Sequence, residues 1–347
     1  MRGVAWAVAA DFQLVVVHGR RIDSPSVSAS DFPPATRFIE WQVQREISVR
    51  EDARALQALR RIITHFRPAL VHAHSSKAGA LSRIARLGTH ASILYSPHGY
   101  AFQRRDVAPW VRRGYWGIEW LMGRLPHVTV TCGPSEFEQG QRLASHVLEI
   151  PNAIDLETID GLLERLPRKP GRPRIVSAGR ITPQKDFATF SVLSRDPRLN
   201  AADFAWLGGP PGEHEPGHVS ITGWLTRSEL YRRLAEASVF VLPSLWEGLP
   251  LVVLEAMAVG LPVIARPIPG VTDVVRDGVS GYLRETPDEL AAAIEQLIND
   301  PPLARRMGDA GRQLVEERHD ARRLAPEWRS IYRSLAEIHP DEVAHQS

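Results

Sequence analysis

Short apolar runs alternate with amphipathic stretches along most of the chain. In the first half this pattern predicts strands over 13–18, 37–41, 69–74, 92–97, 127–132 and 146–151. Helices are expected between them, over 50–66, 76–87, 108–123 and 134–143. The runs "LVHAH", "ILYSP" and "VTVTC" are apolar without strict alternation, as in strands buried on both faces. Such strands alternating with helices give the β-α-β rhythm of a parallel sheet. The basic, Pro- and Gly-rich stretch 165–173 interrupts the rhythm and reads as an interdomain linker. The rhythm then restarts, with strands over 174–178, 204–208, 219–223, 239–243 and 262–265. Helices follow over 185–194, 226–237, 250–259, 287–298 and 301–318.

The expected architecture is therefore α/β, with two Rossmann-like parallel-sheet domains facing a cleft. The first spans 1–164 and the second 174–322, while 323–347 form a helix and tail packing back on the first. Ligands of parallel sheets bind at the carboxyl ends of the strands, so functional residues are expected just after them.

Composition narrows the classes. The chain has 347 residues, 44% hydrophobic and 24% charged, the mix of a globular protein of about two domains. No window approaches the roughly 18 consecutive apolar residues of a membrane-spanning helix. The single cysteine, Cys132, excludes a disulfide framework and fits a cytoplasmic setting. A net charge of +2 disfavours nucleic-acid binding. The start, "VAWAVAADFQLVVVHG", is a weak signal-peptide candidate, because Asp11 breaks the apolar run and a strand pattern follows directly. Residues 2–10 read instead as the last turns of a helix feeding that strand.

Residues 239–265, "VFVLPSLWEGLPLVVLEAMAVGLPVIA", carry most of the chemistry. Pro250 suits the first position of a helix that closes at Gly260. Glu247 then lies on the loop after the strand, and Glu255 lies inside an otherwise apolar helix. A buried carboxylate needs partners, since unpaired burial costs several kcal/mol. Sugar hydroxyls or an arginine on a neighbouring helix both satisfy that need.

The two glutamates, the preceding Pro-Ser, the Glu-Gly-x-Pro loop and the closing Gly-x-Pro-Val resemble the signature of retaining glycosyltransferases of family 4. These enzymes have the GT-B fold. The resemblance implies that Glu247 contacts the donor sugar and Glu255 the ribose hydroxyls of the nucleotide. The backbone amides of Gly248 and Leu249 would approach sugar or phosphate near the helix start, where the dipole favours anions.

Arg180 and Lys185 follow the strand 174–178. By local pattern they are either a solvated loop or the fixed positive charge that a leaving nucleoside diphosphate needs. Lysine occurs at only three positions, Lys77, Lys169 and Lys185, a weak hint that a compact ammonium is wanted here. The family pattern Gly-Arg-x4-Lys is similar to Gly179-Arg180…Lys185, which favours phosphate binding. Asp186 stands where the family has glycine, and its carboxylate is expected to offset part of the lysine charge. Gly208 and Gly223 end strands, and the family binds the nucleobase near Trp224, which is equally readable as a packing residue. Asp273 reads as structural.

In the first domain His98 ends a strand in "SPHGYAF". As an isolated motif it fits a base, a sugar ligand or a turn. The resemblance implies contact with the donor sugar near the reaction centre, and not the role of a base. His74, Ser76 and Lys77 are candidates to meet the acceptor; simple helix capping by Ser75 or Ser76 is the competing reading. Asn152 and Asp155 read as turn formers. Residues 102–125 interleave arginines with Trp110, Tyr115, Trp116 and Trp120, which suits either an anionic membrane surface or inward packing.

The resemblance as a whole implies a retaining, metal-independent hexosyltransferase that needs no cofactor. Its donor would be a UDP- or GDP-sugar. Its acceptor would be a glycan or a polyprenyl-pyrophosphate-linked sugar in bacterial surface polysaccharide synthesis, handled in the cytoplasm at the inner face of the membrane. Family members begin with a strand and a Gly-rich loop, and "VAWAVAADFQLVVVHG" matches only the end of the following helix and the second strand. A nucleotide-sugar-binding homologue with little transfer activity is therefore the alternative.

Overall fold

The computed structural model describes residues 1–19, 27–44, 46–164, 171–209 and 219–337. It divides into two compact units, Met1–Pro151 with Arg322–Ser347, and Asn152–Ala321.

The first unit contains α1 (Arg2–Val8), β1 (Val15–His18), β2 (Arg37–Glu40), α2 (Val49–Phe66), β3 (Leu70–His74), α3 (Ser76–Ala85), β4 (Ser92–Ser96), α4 (Pro109–Met122), β5 (Val128–Thr131), α5 (Pro134–Gln141) and β6 (Val147–Glu149). Its strands form two parallel sheets, β1-β2 and β3-β4-β5-β6. α2 buries Ala55, Leu59 and Ile63, a four-residue spacing that puts them on one face. Trp41, Leu81 and Ala85 complete that core. α1 shows that the opening residues are a helix feeding a strand.

The second unit contains α6 (Leu156–Leu163), β7 (Arg174–Ala178), α7 (Phe187–Leu193), β8 (Asp203–Leu207), β9 (Val219–Ile221), α8 (Arg227–Ala235), β10 (Val239–Leu242), α9 (Leu251–Ala258), β11 (Val263–Ala265), β12 (Gly281–Leu283), α10 (Pro287–Asn299) and α11 (Pro301–Arg318). α12 (Ala321–Glu337) follows and, from Arg322 on, belongs to the first unit. There Tyr332 packs against Phe12, and Ser92 Oγ donates to the carbonyl of Leu335 at 2.7 Å.

The boundary differs from the one expected at 164. The chain leaves the first unit at Pro151, and α6 belongs to the second. The reason is packing: Leu156 and Ile159 are buried, and Asp160 pairs with Arg312 of α11 at 2.9 Å. Most of the expected linker, 165–170, lies outside the described residues.

The six strands of the second unit are all parallel, in the order β12-β11-β10-β7-β8-β9. β10 is buried along its whole length, and Ile175, Trp206, Val241 and Ile264 share one core with Phe190, Leu290 and Ile294. The strand order reverses between β7 and β10. Connections after β7 run one way and those after β10 the other, and ligands of such sheets bind at the carboxyl ends of strands at this kind of reversal.

Candidate active site

Both strands at the switch point end in candidate residues. The loop after β7 carries Arg180, Gln184 and Lys185; the loop after β10 carries Glu247. Lys185 Nζ lies 2.7 Å from Glu247 Oε1, and Glu247 is buried. Gln184 Nε2 donates to Glu247 Oε2 at 3.2 Å and to the carbonyl of Trp246 at 2.9 Å. The Leu245 amide donates back to the Gln184 carbonyl at 2.8 Å. The two loops are thus stitched together through backbone and side chain. Gly179 makes room for this arrangement: its φ is +128°, and a Cβ there would sit 3.2 Å from Lys185 Cε. Arg180 is half-buried in the same loop.

Asp186 does not sit against Lys185's ammonium as an offsetting charge. It caps α7, accepting from the Thr189 amide at 3.2 Å, and pairs with Arg266 Nη1 at 2.7 Å. Partial burial pushes its carboxyl up, but the bonds from Thr189 and Arg266 outweigh this and hold it below its ordinary value. Its charge is spent on Arg266, which corrects the expectation from sequence.

Pro250 is the N-cap of α9 rather than its first helical residue. The far end closes with the Gly260 amide on the Met257 carbonyl and the Leu261 amide on the Ala256 carbonyl, a Schellman motif. Glu255 is buried in this helix, and the Tyr231 hydroxyl of α8 bonds to it. Burial first, then the Glu255 charge, pushes the Tyr231 hydroxyl well above its ordinary value. The Tyr231 hydroxyl is thus one partner of this carboxylate. The Leu249 carbonyl accepts from Asn152 Nδ2 at 2.8 Å, and the Asn152 carbonyl is bonded by His319 at 2.8 Å. Asn152 therefore anchors the glutamate loop, a function its turn-like sequence context does not reveal. Gly248 packs its carbonyl against Gly270, where a Cβ would come within 1.3 Å.

Gly208 follows β8 and bridges to Gly223 just past β9. The Gly208 amide donates to Thr222 Oγ1 at 3.2 Å. Trp224 beside it is partly exposed.

In the first unit, His74 ends β3 and His98 follows β4, the strand paired with it. His74 Nδ1 and His98 Nε2 are 2.8 Å apart, with one ring nitrogen donating to the other. His98 has φ +52° and is followed by Gly99 at +94°. Glu136, buried in the first turn of α5, fixes this bend, accepting from the Gly99 amide at 2.6 Å and the Cys132 amide at 2.9 Å. Burial pushes His72, His74 and His98 below the ordinary imidazole value, with repulsion from His72 adding to the shift on His74. The His98 ring packs on His74 while the residue stays open to solvent at the bend.

The proposed acceptor contacts near α3 are otherwise engaged. Lys77 pairs with Asp52 at 2.5 Å and donates to the Glu46 carbonyl. Ser76 Oγ accepts from the Ala101 amide at 3.1 Å, and Ser75 makes no side-chain capping bond.

Comparison with known proteins bears on the family and the fold. The family "Glycosyl transferase 4-like domain" matches residues 2–148, and "Glycosyl transferases group 1" matches residues 213–314. An Escherichia coli UDP-Gal:alpha-D-GlcNAc-diphosphoundecaprenol alpha-1,3-galactosyltransferase is 28% identical over 283 residues, 74% of this chain and 71% of that one. An Arabidopsis thaliana sulfoquinovosyl transferase is 27% identical over 74% of this chain, which spans only 54% of its length. The sucrose-phosphate synthase structure from Thermosynechococcus elongatus superposes with a TM-score of 0.78 at 21% identity, over 96% of this chain and 91% of that one. That likeness is one of fold. The chain belongs to the glycosyltransferases of family 4, which have the GT-B fold.

Proposed function

We propose that the protein is a retaining, metal-independent hexosyltransferase. It moves a sugar from a UDP- or GDP-sugar to a glycan or polyprenyl-pyrophosphate-linked acceptor in bacterial surface polysaccharide synthesis. The observation that carries the reading is the Lys185–Glu247 pair at the switch point of the second unit's sheet. Transfer requires fixed positive charge where the nucleoside diphosphate departs, and acceptors of hydrogen bonds where the sugar hydroxyls sit. When a donor enters, the ammonium of Lys185 exchanges a carboxylate oxygen for diphosphate oxygens, with Arg180 alongside. Glu247 is then released to the sugar hydroxyls, still oriented by Gln184. Glu255 receives the ribose hydroxyls, and Gly208, Gly223 and Trp224 border the base. The amides of Gly248 and Leu249 face the sugar. Protein residues supply the positive charge, which is the support for metal independence.

On this reading His98, held neutral, offers a hydrogen bond to the donor sugar. The bond from the anomeric carbon to the phosphate oxygen breaks as the acceptor oxygen bonds to that carbon on the same face, and the leaving phosphate oxygen takes the acceptor's proton, so configuration is retained without a covalent enzyme intermediate. The Escherichia coli relative is a galactosyltransferase acting on a diphosphoundecaprenol-linked sugar, which supports a lipid-linked acceptor. Such a reaction belongs in the cytoplasm, at the inner face of the cell membrane.

The test is incubation with radiolabelled UDP- and GDP-sugars and a membrane extract or polyprenyl-pyrophosphate-linked acceptor. Transfer abolished by Glu247→Ala supports the enzyme. Saturable donor binding without transfer in the unmutated protein would instead give the donor-binding homologue.

A further inference from the structure

The helix α4 presents an unusual outer face. Trp110, Trp116 and Trp120 are 74%, 44% and 42% exposed, and Leu121 is exposed beside them. Arg112 and Arg113 on the same helix, Arg105 just before it and Arg124 just after it are exposed too. At about 100° per residue, Trp110, Arg113, Trp116 and Trp120 fall within one arc. The half-buried Tyr115 and Met122 point the other way. The helix has a single acid, Glu119, and it is buried, pairing with Arg83 at 3.2 Å and accepting from the Tyr95 hydroxyl at 2.7 Å. The exposed surface of α4 is thus aromatic and cationic with no acid. Trp116 and Trp120 stack at 6.5 Å, and the Arg124 guanidinium covers the Trp120 ring.

We infer that this face of α4 lies on an anionic lipid surface. Indole rings settle at the boundary between head groups and acyl chains, and arginines beside them are drawn to anionic head groups. Charge complementarity selects this occupant over a second copy of the chain. A two-fold contact through the face would set arginines against arginines with no acid of α4 between them. The chain carries a net charge of only +2, so the cationic character is local. The inference rests on the transferase reading only for its purpose, bringing the protein to a membrane-borne acceptor.

The experiment is co-sedimentation with vesicles of phosphatidylglycerol and phosphatidylcholine, or of phosphatidylcholine alone, at low and high salt, with no donor or acceptor present. The anionic vesicles should bind the protein at least about tenfold more tightly, and salt should weaken that binding. Arg105→Gln/Arg113→Gln should lose at least about tenfold, from roughly fivefold per arginine. Trp110→Ser/Trp116→Ser/Trp120→Ser should abolish sedimentation while keeping the melting transition and any thermal shift by UDP- or GDP-sugars. Equal binding by the tryptophan variant and the unmutated protein would overturn the inference. So would a dimer in sedimentation velocity that the tryptophan variant dissolves. Because the readout needs no turnover, failure here and failure of the transferase reading are separate results.

Discussion

The ammonium of Lys185 lies 2.7 Å from a carboxylate oxygen of Glu247, joining the loops that leave two adjacent strands in opposite directions. Both side chains are largely removed from water, at 16% and 8% exposure. Deleting one partner therefore strands the other. Lys185→Met should destabilise the second unit more than Lys185→Met/Glu247→Gln does. The coupling expected in a double-mutant cycle, read by urea denaturation, is about 1–3 kcal/mol. Additive effects would show that the pair is not a unit. In the transfer assay Glu247→Gln alone should cost about a hundredfold or more in rate.

Asp186 should behave as a structural residue. It caps α7 and neutralises Arg266. Asp186→Ala should lower stability by about 1–2 kcal/mol, measured by urea denaturation. Donor affinity should change far less than in a Lys185 variant. A gain in donor affinity would mean that the carboxylate does oppose the phosphates.

The glutamate loop leans on Gly270. Its φ is +82°, and a Cβ would overlap the Gly248 carbonyl. Gly270→Ala must push that loop aside, at a stability cost of about 1–3 kcal/mol. Donor binding, read by calorimetry, should weaken with it, although Gly270 carries no side chain to touch the donor. Unchanged affinity would separate the loop from the donor site.

Acid should weaken the fold. His127 is buried, and burial, followed by the nearby Arg83 charge, pushes it down to about 4 from an ordinary 6.5. Burial lowers His319 in the same direction. The folded protein keeps these rings neutral, while the unfolded chain takes up protons below about pH 6.5. Their contribution is complete above that value and is lost as pH falls toward His127's folded-state value. The urea midpoint should therefore drop between about pH 7 and about pH 5, and His127→Gln should flatten the profile. A midpoint constant over that range in the unmutated protein would contradict the assignment.

Much of this was readable in the sequence because parallel strands buried on both faces leave continuous apolar runs, and because ligands meet such sheets at strand ends. The positions of Lys185, Glu247 and His98 just after strands follow from those two facts. What was not readable depends on distant partners. Gln184 gains its role only when β7 and β10 are neighbours, and Asn152 only when it reaches Leu249. Arg266 and Tyr231 likewise bring charge and hydroxyl from other elements to Asp186 and Glu255. The three-residue β12 offers no periodicity to detect, and α6 sits beyond a boundary that only packing defines. The tryptophans of α4 were equally compatible with facing in or out; their exposure settled the direction.

The central claim is that the Lys185–Glu247 site binds a nucleotide-sugar donor. The most direct measurement is the melting temperature of the unmutated protein and of Lys185→Met across a panel of UDP- and GDP-sugars, since a ligand bound only by the folded state raises it. At least one donor should raise the melting temperature of the unmutated protein, and Lys185→Met should remove most of that rise. No shift with any UDP- or GDP-sugar, or an equal shift in the variant, would contradict the claim.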